Sequence, residues 1–401
     1  MGNKIKKNGE KMSQKSKKIL TLYPFNQKFP TVYESTIEFF SKNYQINYSP
    51  KKWSTFYGIK ENKIIRNLYY FIMKVIRKSL KLDNLKKKLK TSPEKNFLFC
   101  FNQLPPPEFD FIIDLETIIG LTNYNYSELE KNKEYISNRL KSEKCKAIMC
   151  WTKSTSDELI KTINCSKFKN KIKVVPFAGE SSKSKRENEK VLNFLFVSSI
   201  NNPIAFNTKG GIIALETYVQ LAKKYGNLNF FVRANIDKDL VEKYKNVPGL
   251  IFLRKYLPKD KMNDLFASSD ILLVPIPGID LFTKSMEFGI PPVCFDYGVA
   301  YDIIVDNKTG LLIDSSKIFK SKKDLKEHYL NVDKDYEILS KKEECLKFVP
   351  EFVKKSEILI KNRDILRKMA KEQQFLVEEG GKYSLKKRNQ KLIKLIGPYI
   401  K

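Results

Sequence analysis

An acid, a base and a second acid follow an apolar run in the second half of the chain. Asp280, Lys284 and Glu287 are spaced four and three residues apart, so a helix would carry them on one face. The preceding "DILLVPI" is typical of a buried strand, and ligands of open α/β sheets bind at the carboxyl ends of strands. A carboxylate at that position accepts hydrogen bonds from ribose or sugar hydroxyls. The alternative is a salt-bridge triplet on the surface.

A lysine followed by two glycines marks a second candidate site. Lys209, Gly210 and Gly211 open a predicted helix after the strand "LNFLFVSS", which ends at Ser199. Glycines let a ligand approach the backbone, and the amino end of a helix offers free N–H groups to phosphate. The lysine adds a positive charge for the same ligand. An ordinary loop with a glycine turn is the alternative.

Alternating strands and helices must position these residues from residue 191 onwards. This alternation predicts βαβ units and a doubly wound parallel sheet. The predicted strands are "LNFLFVSS", "NLNFFVRA", "LIFLRKY", "DILLVPI" and "PPVCFD", and the predicted helices are "GGIIALETYVQLAKKY", "KDLVEKY", "KDKMNDLFASS" and "LFTKSMEF". Residues 354–395 are predicted to be helical, with a break at Gly380 and Gly381.

The first half of the chain has its own strand and helix signals. The predicted elements are the strands "KKILTLYPF", "KAIMCWT" and "KIKVVPF" and the helices "TVYESTIEFFSKNY" and "TSDELIKTI". Thr155 or Ser156 is the expected cap of the last of these helices. Within "EFDFIIDLETIIGL", Asp114 and Glu116 point the same way if the stretch is extended. They form a candidate site or, alternatively, cap the next helix.

Residues 191–315 resemble the C-terminal domain of family 4 glycosyltransferases, which have the GT-B fold. The resemblance rests on an ordered series of motifs. These are "FLFVSS" followed by "TKGG", then "LPKDKMNDLFASSDILLVP", "KSMEFGIPPVCFD" and "VAYDIIVDNKTGLLI". It implies an α/β protein with two Rossmann-like domains that face each other across a cleft.

The resemblance implies donor-binding roles for the candidate residues. Lys209 matches the basic residue that contacts the donor diphosphate, and Gly210 and Gly211 match the glycines beside it. Glu287 matches the second carboxylate of the family's E-x7-E motif, which binds the ribose. Asp280 lies near the first carboxylate, which contacts the donor sugar. Lys209 and Glu287 are therefore the expected catalytic residues.

The chain departs from the family pattern at several positions. Asp280 and Glu287 are one residue closer than the motif requires, and an ungapped alignment places Lys284 where the second carboxylate belongs. Ser199, itself a candidate donor contact, lies near the place of a family arginine that is missing here. The chain has one histidine, His328, in a predicted surface helix, so the usual cleft histidine is absent.

The resemblance also implies the reaction. The expected activity is transfer of a sugar from a UDP- or GDP-sugar, without metal or cofactor and with retention of configuration. The expected acceptor is a saccharide, a glycolipid or a lipid-linked saccharide in the first domain, where Glu116 is the acceptor-site candidate. The D-x-D pairs that begin at Asp237 and Asp333 are interpreted as helix caps.

The chain is strongly basic, with 75 Lys and Arg against 45 Asp and Glu among 401 residues, a net charge of +30. Such a charge favours polyanionic partners or reflects a lysine-rich proteome. Segment 63–90 holds ten basic residues, one acid and an apolar stripe, as an in-plane helix on an anionic membrane would. Packing of that stripe on the domain core is the alternative. Nucleic acid is a less favoured partner, because no RNP or G-x-x-G signature occurs.

The length predicts two domains. We expect a disordered basic tail (1–18), an acceptor-binding domain (19–178), a linker (179–190), a nucleotide-sugar-binding domain (191–375) and a C-terminal helical segment (376–401). The six cysteines lack C-x-x-C pairs, which predicts buried thiols in a reducing cytosol. No signal peptide or apolar run of membrane-spanning length is found, so the expected location is cytoplasmic, with peripheral membrane binding the open question. A glycosyltransferase-like scaffold without catalysis is the remaining alternative.

Overall fold

The computed structural model describes residues 18–24, 31–48, 92–122, 125–182, 190–202, 204–316 and 338–400. Residues 1–17, the basic segment 63–90, most of the linker, His328 and the second D-x-D pair lie outside the described residues. The described chain forms two six-stranded sheets in which every neighbouring pair is parallel.

The first sheet has the strand order β2-β1-β3-β4-β5-β6. Its strands are β1 (Ile19–Tyr23), β2 (Ile46–Asn47), β3 (Asn96–Phe101), β4 (Asp110–Leu115), β5 (Cys145–Cys150) and β6 (Ile172–Val174). Its helices are α1 (Glu34–Asn43), α2 (Tyr126–Lys131), α3 (Lys133–Lys141) and α4 (Lys153–Thr162). Every residue of β3 is buried, as expected for a parallel strand covered on both faces.

The second sheet has the strand order β12-β11-β10-β7-β8-β9. Its strands are β7 (Leu192–Val197), β8 (Leu228–Arg233), β9 (Leu250–Leu253), β10 (Ile271–Leu273), β11 (Pro292–Phe295) and β12 (Leu311–Ile313). Its helices are α5 (Ala205–Thr208), α6 (Gly211–Lys224), α7 (Lys238–Tyr244), α8 (Lys259–Ala267), α9 (Ile279–Phe288) and α10 (Ala300–Ile303). The predicted doubly wound sheet is confirmed.

The strand order of the second sheet reverses beside β7. The chain runs outwards from β7 to β8 and β9, and then returns to place β10 on the other side of β7. Connections that leave in opposite directions open a crevice at the carboxyl ends of the two central strands. Lys209 follows β7 and Asp280 follows β10, so the topology places both at this crevice.

The C-terminal helices divide between the two sheets. They are α11 (Lys342–Leu346), α12 (Val349–Lys361), α13 (Arg363–Phe375) and α14 (Leu385–Ile396). α11 and α12 pack on α6 of the second sheet. From α14, Leu392 and Ile396 pack into the core of the first sheet with Leu20 and Phe97. The predicted break near Gly381 is confirmed, and a further one occurs at Asn362, whose side chain caps α13.

A buried ion pair fixes α14 to the first sheet. Arg388 donates to the Asp114 carboxylate, and the two side chains are 4% and 0% exposed. Trp151 Nε1 donates to the other carboxylate oxygen at 2.8 Å, and Arg388 Nη1 donates to the carbonyl oxygen of Pro176 at 2.7 Å. These partners compensate two charges that would be costly to bury alone.

Apolar and polar contacts join the two halves. From α9, Phe282 and Met286 belong to the same buried cluster as the core of the first sheet. Lys259 Nζ lies 2.8 Å from Glu34 Oε2, and Ser154 Oγ donates to Asp302 Oδ1 at 2.8 Å. The predicted linker lies between the last strand of the first sheet and the first strand of the second. The domain boundaries themselves stay predictions.

The structure settles two smaller expectations, one confirmed and one wrong, and adds a finding on helix length. All six cysteines are buried and free, as predicted. The predicted cap of α4 is wrong, because the helix begins at Lys153 and Thr152 Oγ1 accepts from Thr155 N at 3.0 Å. Within the described ranges, no helix is both long enough and apolar enough to cross a membrane.

Candidate functional site

Three charged residues, two from loops and one from the first turn of α9, meet where the carboxyl ends of the two sheets face each other. Glu116 follows β4 in the first sheet, whereas Lys209 and Asp280 lie at the crevice of the second sheet. The positive charge of Lys209 interacts with both carboxylates. We call Glu116, Lys209 and Asp280 the cleft cluster.

Lys209 lies against the backbone at the start of α9. A Cβ atom placed on Gly278 would lie 3.8 Å from Lys209 Nζ. The backbone of Lys209 is held on both sides, because its N–H donates to Ala205 O at 3.1 Å and its carbonyl accepts from Ile276 N at 3.3 Å. Burial lowers the pKa of Lys209, and the nearby carboxylates oppose this shift.

The two predicted phosphate-loop glycines have a packing reason of their own. Gly210 has φ of +77°, and a Cβ atom there would lie 2.5 Å from Pro275 Cβ. A Cβ on Gly211 would lie 2.3 Å from the ring of Phe206. Protein atoms therefore fill the space beside both glycines, and Gly210 adopts the left-handed conformation at the turn into α6. Their contact with a ligand stays a prediction.

Asp280 lies in the first turn of α9, directly beside the cleft cluster lysine. Its surface is exposed to solvent. Protein atoms of both sheets nevertheless lie around the carboxyl and reduce its hydration. This desolvation raises the pKa of the Asp280 carboxyl above its ordinary value, and Lys209 and Lys284 oppose the shift. Asp280 and Lys209 are therefore close enough for their charges to interact, and their donor-binding roles stay predictions.

Lys284 and Glu287 form a separate pair on the same face of α9. Lys284 Nζ lies 2.6 Å from Glu287 Oε2, and the two side chains are 29% and 14% exposed. A Cβ atom on Gly179 would lie 2.9 Å from Glu287 Oε1, and Ser182 N donates to the carbonyl oxygen of Glu287 at 2.7 Å. Glu287 therefore lies against the chain segment that joins the two sheets. Its predicted ribose and catalytic roles stay predictions.

Glu116 is held by two neighbours that the sequence interpretation missed. Its backbone N–H donates to Asn102 Oδ1 at 2.8 Å, and Thr155 Oγ1 donates to its carbonyl oxygen at 2.9 Å. Asn102 has φ of +58° and donates from Nδ2 to the hydroxyl of Tyr33 at 2.8 Å. An asparagine directly after the apolar run "NFLFCF" was the available sequence signal, because asparagine tolerates left-handed backbone.

Asp114 and Glu116 do not form a pair that faces the cleft. β4 ends at Leu115, so only Asp114 follows the strand alternation. Asp114 is buried in its contacts with Trp151 and Arg388. The extended stretch on which the shared direction depended ends before Glu116, and Asp114 has a structural role.

The loop after β7 is tied to the end of β8. Ser199 is exposed, and its Oγ accepts from Asn201 N at 3.2 Å. Arg233 Nη1 donates to Ser198 O at 2.9 Å, and Asn235 Nδ2 donates to Ile200 O at 3.0 Å. Neither Arg233, the last residue of β8, nor Asn235, two residues later, was predicted, although a basic residue at the end of the strand "NLNFFVR" was a visible signal.

No group of three or more His, Cys, Asp or Glu side chains in the described part of the chain is arranged to hold a metal ion. Asp237 directly precedes α7, and Asp239 lies in its first turn. The structure therefore places this D-x-D pair at a helix start, as predicted, but the Asp237 side chain makes no capping hydrogen bond to α7.

Solved structures are similar to this architecture across both sheets. HepE from Anabaena, in complex with UDP and glucose, is 11% identical over 95% of this chain and 99% of its own, with a TM-score of 0.56. A TarM mutant from S. aureus, in complex with fondaparinux, alpha-GlcNAc-glycerol and UDP, is 14% identical with a TM-score of 0.50. That match covers 78% of this chain and 57% of TarM, so the chain spans less than two thirds of TarM.

No protein-family model and no curated protein sequence matches the chain. At identities this low, structural similarity establishes the fold and nothing finer. The fold is GT-B, with two Rossmann-like domains that face each other across a cleft, as predicted.

Proposed function

We propose that the chain is a glycosyltransferase that moves a sugar from a UDP- or GDP-sugar to an acceptor. The observation that carries this proposal is the cleft cluster. Glu116, Lys209 and Asp280 come from the carboxyl ends of both sheets and meet between them. UDP is the favoured nucleotide, because UDP is bound in the HepE and TarM structures that share this fold.

Lys209 and the amino end of α6 supply positive charge for the donor diphosphate. The bond between the anomeric carbon and the diphosphate oxygen breaks, and its electron pair goes to the diphosphate. The acceptor oxygen forms the new bond to the anomeric carbon on the face that the diphosphate leaves, and its proton passes to an oxygen of the departing diphosphate. A fixed lysine and helix dipole stabilise the charge that develops on the diphosphate.

Asp280 and Glu116 take positions on the two sides of the transferred sugar. Asp280 is exposed at the donor side and accepts hydrogen bonds from sugar hydroxyls. Glu116 lies on the acceptor side, where Asn102 and Thr155 hold its backbone. Glu287 binds the ribose with one oxygen while Lys284 holds the other.

The finer assignment follows the resemblance in the sequence motifs. We assign the chain to family 4 type glycosyltransferases, with metal-independent transfer, retained anomeric configuration and no cofactor. The acceptor is a saccharide, a glycolipid or a lipid-linked saccharide. Peripheral binding to an anionic membrane belongs to the same proposal and concerns segment 63–90, which lies outside the described residues. Sedimentation with vesicles that contain or lack anionic lipid tests it.

Thermal unfolding in the presence of nucleotides tests the donor site. UDP, GDP, ADP and their common sugar conjugates are added to the wild-type chain and to Lys209→Ala. A ligand at a hundred times its dissociation constant stabilises the folded state by about 2.7 kcal/mol. We expect stabilisation by UDP or GDP and their sugars, with the effect strongly reduced in Lys209→Ala.

Two controls make this experiment decisive. Lys223→Ala removes a lysine from the last turn of α6, away from its amino end, and keeps the stabilisation. Release of free nucleotide from the stabilising sugar conjugate, measured with mixed saccharide acceptors, then tests turnover. Stabilisation without turnover favours a non-catalytic scaffold, and the absence of stabilisation by every nucleotide overturns the proposal.

A further inference from the structure

Arg233 carries a positive charge at the carboxyl edge of the second sheet without an acidic partner. It is the last residue of β8, the strand between β7 and β9. Its Nη1 donates to Ser198 O at 2.9 Å, and its Nε is buried without a hydrogen-bond partner. No carboxylate within the described ranges forms an ion pair with it, although such pairs hold many other basic residues of this chain.

The Arg233 guanidinium is half-buried, and no acidic side chain of the described chain stabilises its positive charge. Burial lowers the pKa of Arg233, and the neighbouring Tyr256 is the group that opposes this shift. A buried charge without a counter-charge is costly, so folded proteins pair it with an acid or use it to bind an anion. Since the described chain supplies no acid, an anionic ligand is the partner that this position lacks.

Lys209 has the opposite surroundings. Its charge interacts with Asp280 and Glu116, so two carboxylates lie near one ammonium. This balance leaves little surplus positive charge beside Lys209 for a diphosphate that carries at least two negative charges. Arg233 supplies the uncompensated charge on the adjacent strand.

A second unused polar group lies next to Arg233. Ser198 directly follows β7 and is 6% exposed, and its Oγ is buried without a hydrogen-bond partner. Its backbone N–H donates to the carbonyl oxygen of Arg233 at 2.9 Å, so the two residues are direct neighbours across the sheet. The backbone of Ser198 is thus bonded twice to Arg233, through its N–H and through its carbonyl oxygen, so the end of β7 follows the position of the guanidinium.

We propose that Arg233 binds the diphosphate of the donor from β8, in place of the arginine that the loop after β7 lacks. This inference rests on the proposed function, because it assigns a further contact to the same donor site. The planar guanidinium forms paired hydrogen bonds with phosphate oxygens, which a lysine cannot match. Arg233 also fixes the loop through Ser198 O, so anion binding and loop position are coupled.

Calorimetric titration of Arg233→Gln, Arg233→Lys and wild type with UDP, UMP and uridine tests the inference. A charged hydrogen bond to phosphate corresponds to roughly 10- to 100-fold in affinity. We expect Arg233→Gln to lose that much affinity for UDP, less for UMP and none for uridine. Arg233→Lys falls between Arg233→Gln and the wild type for UDP. Arg367→Gln, an exposed arginine paired with Asp364 on α13, is the matched control and leaves all three affinities unchanged.

Other outcomes separate this inference from the proposed function. Equal losses for UDP and uridine mean that Arg233 only shapes the loop, which overturns the inference and leaves the donor site intact. Unchanged UDP affinity in Arg233→Gln overturns it directly. If the wild type binds no nucleotide but binds inorganic pyrophosphate in an Arg233-dependent way, the anion site stands and the donor function fails. If Arg233→Gln does not fold, Arg233→Lys decides, because it keeps the charge and loses the paired geometry.

Discussion

Glu116 and Lys209 belong to different sheets, and their charges attract each other across the space between the two domains. Hydrogen bonds to the backbone of each residue hold it in place. Asn102 and Thr155 hold Glu116, and Ala205 and Ile276 hold Lys209. A donor bound beside Lys209 and an acceptor bound beside Glu116 would therefore meet at a fixed distance, as group transfer requires.

Replacing Glu116 with Gln should shift the pH dependence of UDP binding. The Glu116 charge raises the pKa of Lys209, so its removal lowers that pKa further. In the variant, Lys209 therefore loses its proton at a lower pH than in the wild type. As the pH is raised, UDP affinity should begin to fall earlier in the variant. Dissociation constants between about pH 7.5 and pH 10, below the ordinary lysine pKa, measure this shift. Glu108→Gln, an exposed acid before β4, is the control, and coincident alkaline limbs for Glu116→Gln and wild type would contradict the prediction.

Replacing Asp280 with Asn should affect turnover more than UDP binding. We expect turnover of the UDP-sugar to fall roughly 10- to 100-fold, because a charged hydrogen bond to the sugar is lost. UDP affinity should stay close to that of the wild type, since UDP lacks the sugar. Asp280 has a raised pKa, so wild-type turnover should fall with decreasing pH from above the ordinary aspartate value of about 3.9. Steady-state rates measured at a series of pH values test this. If Asp280→Asn shows the same loss of turnover at low pH, another group is responsible for that loss.

Substitutions of Asn102 should separate backbone strain from the positioning of Glu116. Both Asn102→Gly and Asn102→Ala remove the acceptor for Glu116 N, so both should lower turnover. Only alanine also strains the backbone at φ of +58°, which should cost about 1 kcal/mol more in urea unfolding. Asn307 has φ of +61° in a loop away from the cleft cluster, so the same two substitutions there should change stability alone. Equal turnover in Asn102→Gly and the wild type would remove Asn102 from the site.

Breaking the Asp114–Arg388 pair should strongly destabilise the protein. Arg388→Met leaves a buried carboxylate without its main partner and should lower the free energy of unfolding by about 3–5 kcal/mol. Adding Asp114→Asn should recover part of this loss, because the orphaned charge is removed. Lys394→Met on the exposed face of α14 is the control and should change stability little. Urea unfolding of the four proteins measures these differences, and a loss below about 1 kcal/mol for Arg388→Met would show that the pair does not hold α14.

The second sheet could be predicted because its sequence signals are local. Runs such as "FLFV" and "ILLVP" are apolar throughout, as parallel strands covered on both faces must be. The positions of Lys209 and Asp280 follow from the strand ends together with the family motifs. A strand order that reverses beside β7 then brings the two residues together.

The partners of the other polar residues could not be predicted, because they are distant in sequence and follow no helix or strand periodicity. Asp114 looked like a partner of Glu116, but its partner Arg388 lies in the last helix of the chain. The position of Glu287 against Gly179 depends on how the linker crosses α9. Arg233 and Asn102 are visible as polar residues at strand ends, but only the folded chain shows what they contact.

The chain crosses between the domains twice, once after β6 and again before α14, and the two crossing segments contact each other. Gly179 N donates to Tyr383 O at 3.1 Å, so the outgoing and returning segments are hydrogen-bonded to each other. Arg388 and Leu392 are also part of the first domain's interior, although the ribosome makes them after the whole second sheet. The first domain therefore cannot complete its core during synthesis until the second domain has been made. A fragment that ends before α14 would expose apolar surface of the kind that chaperones bind.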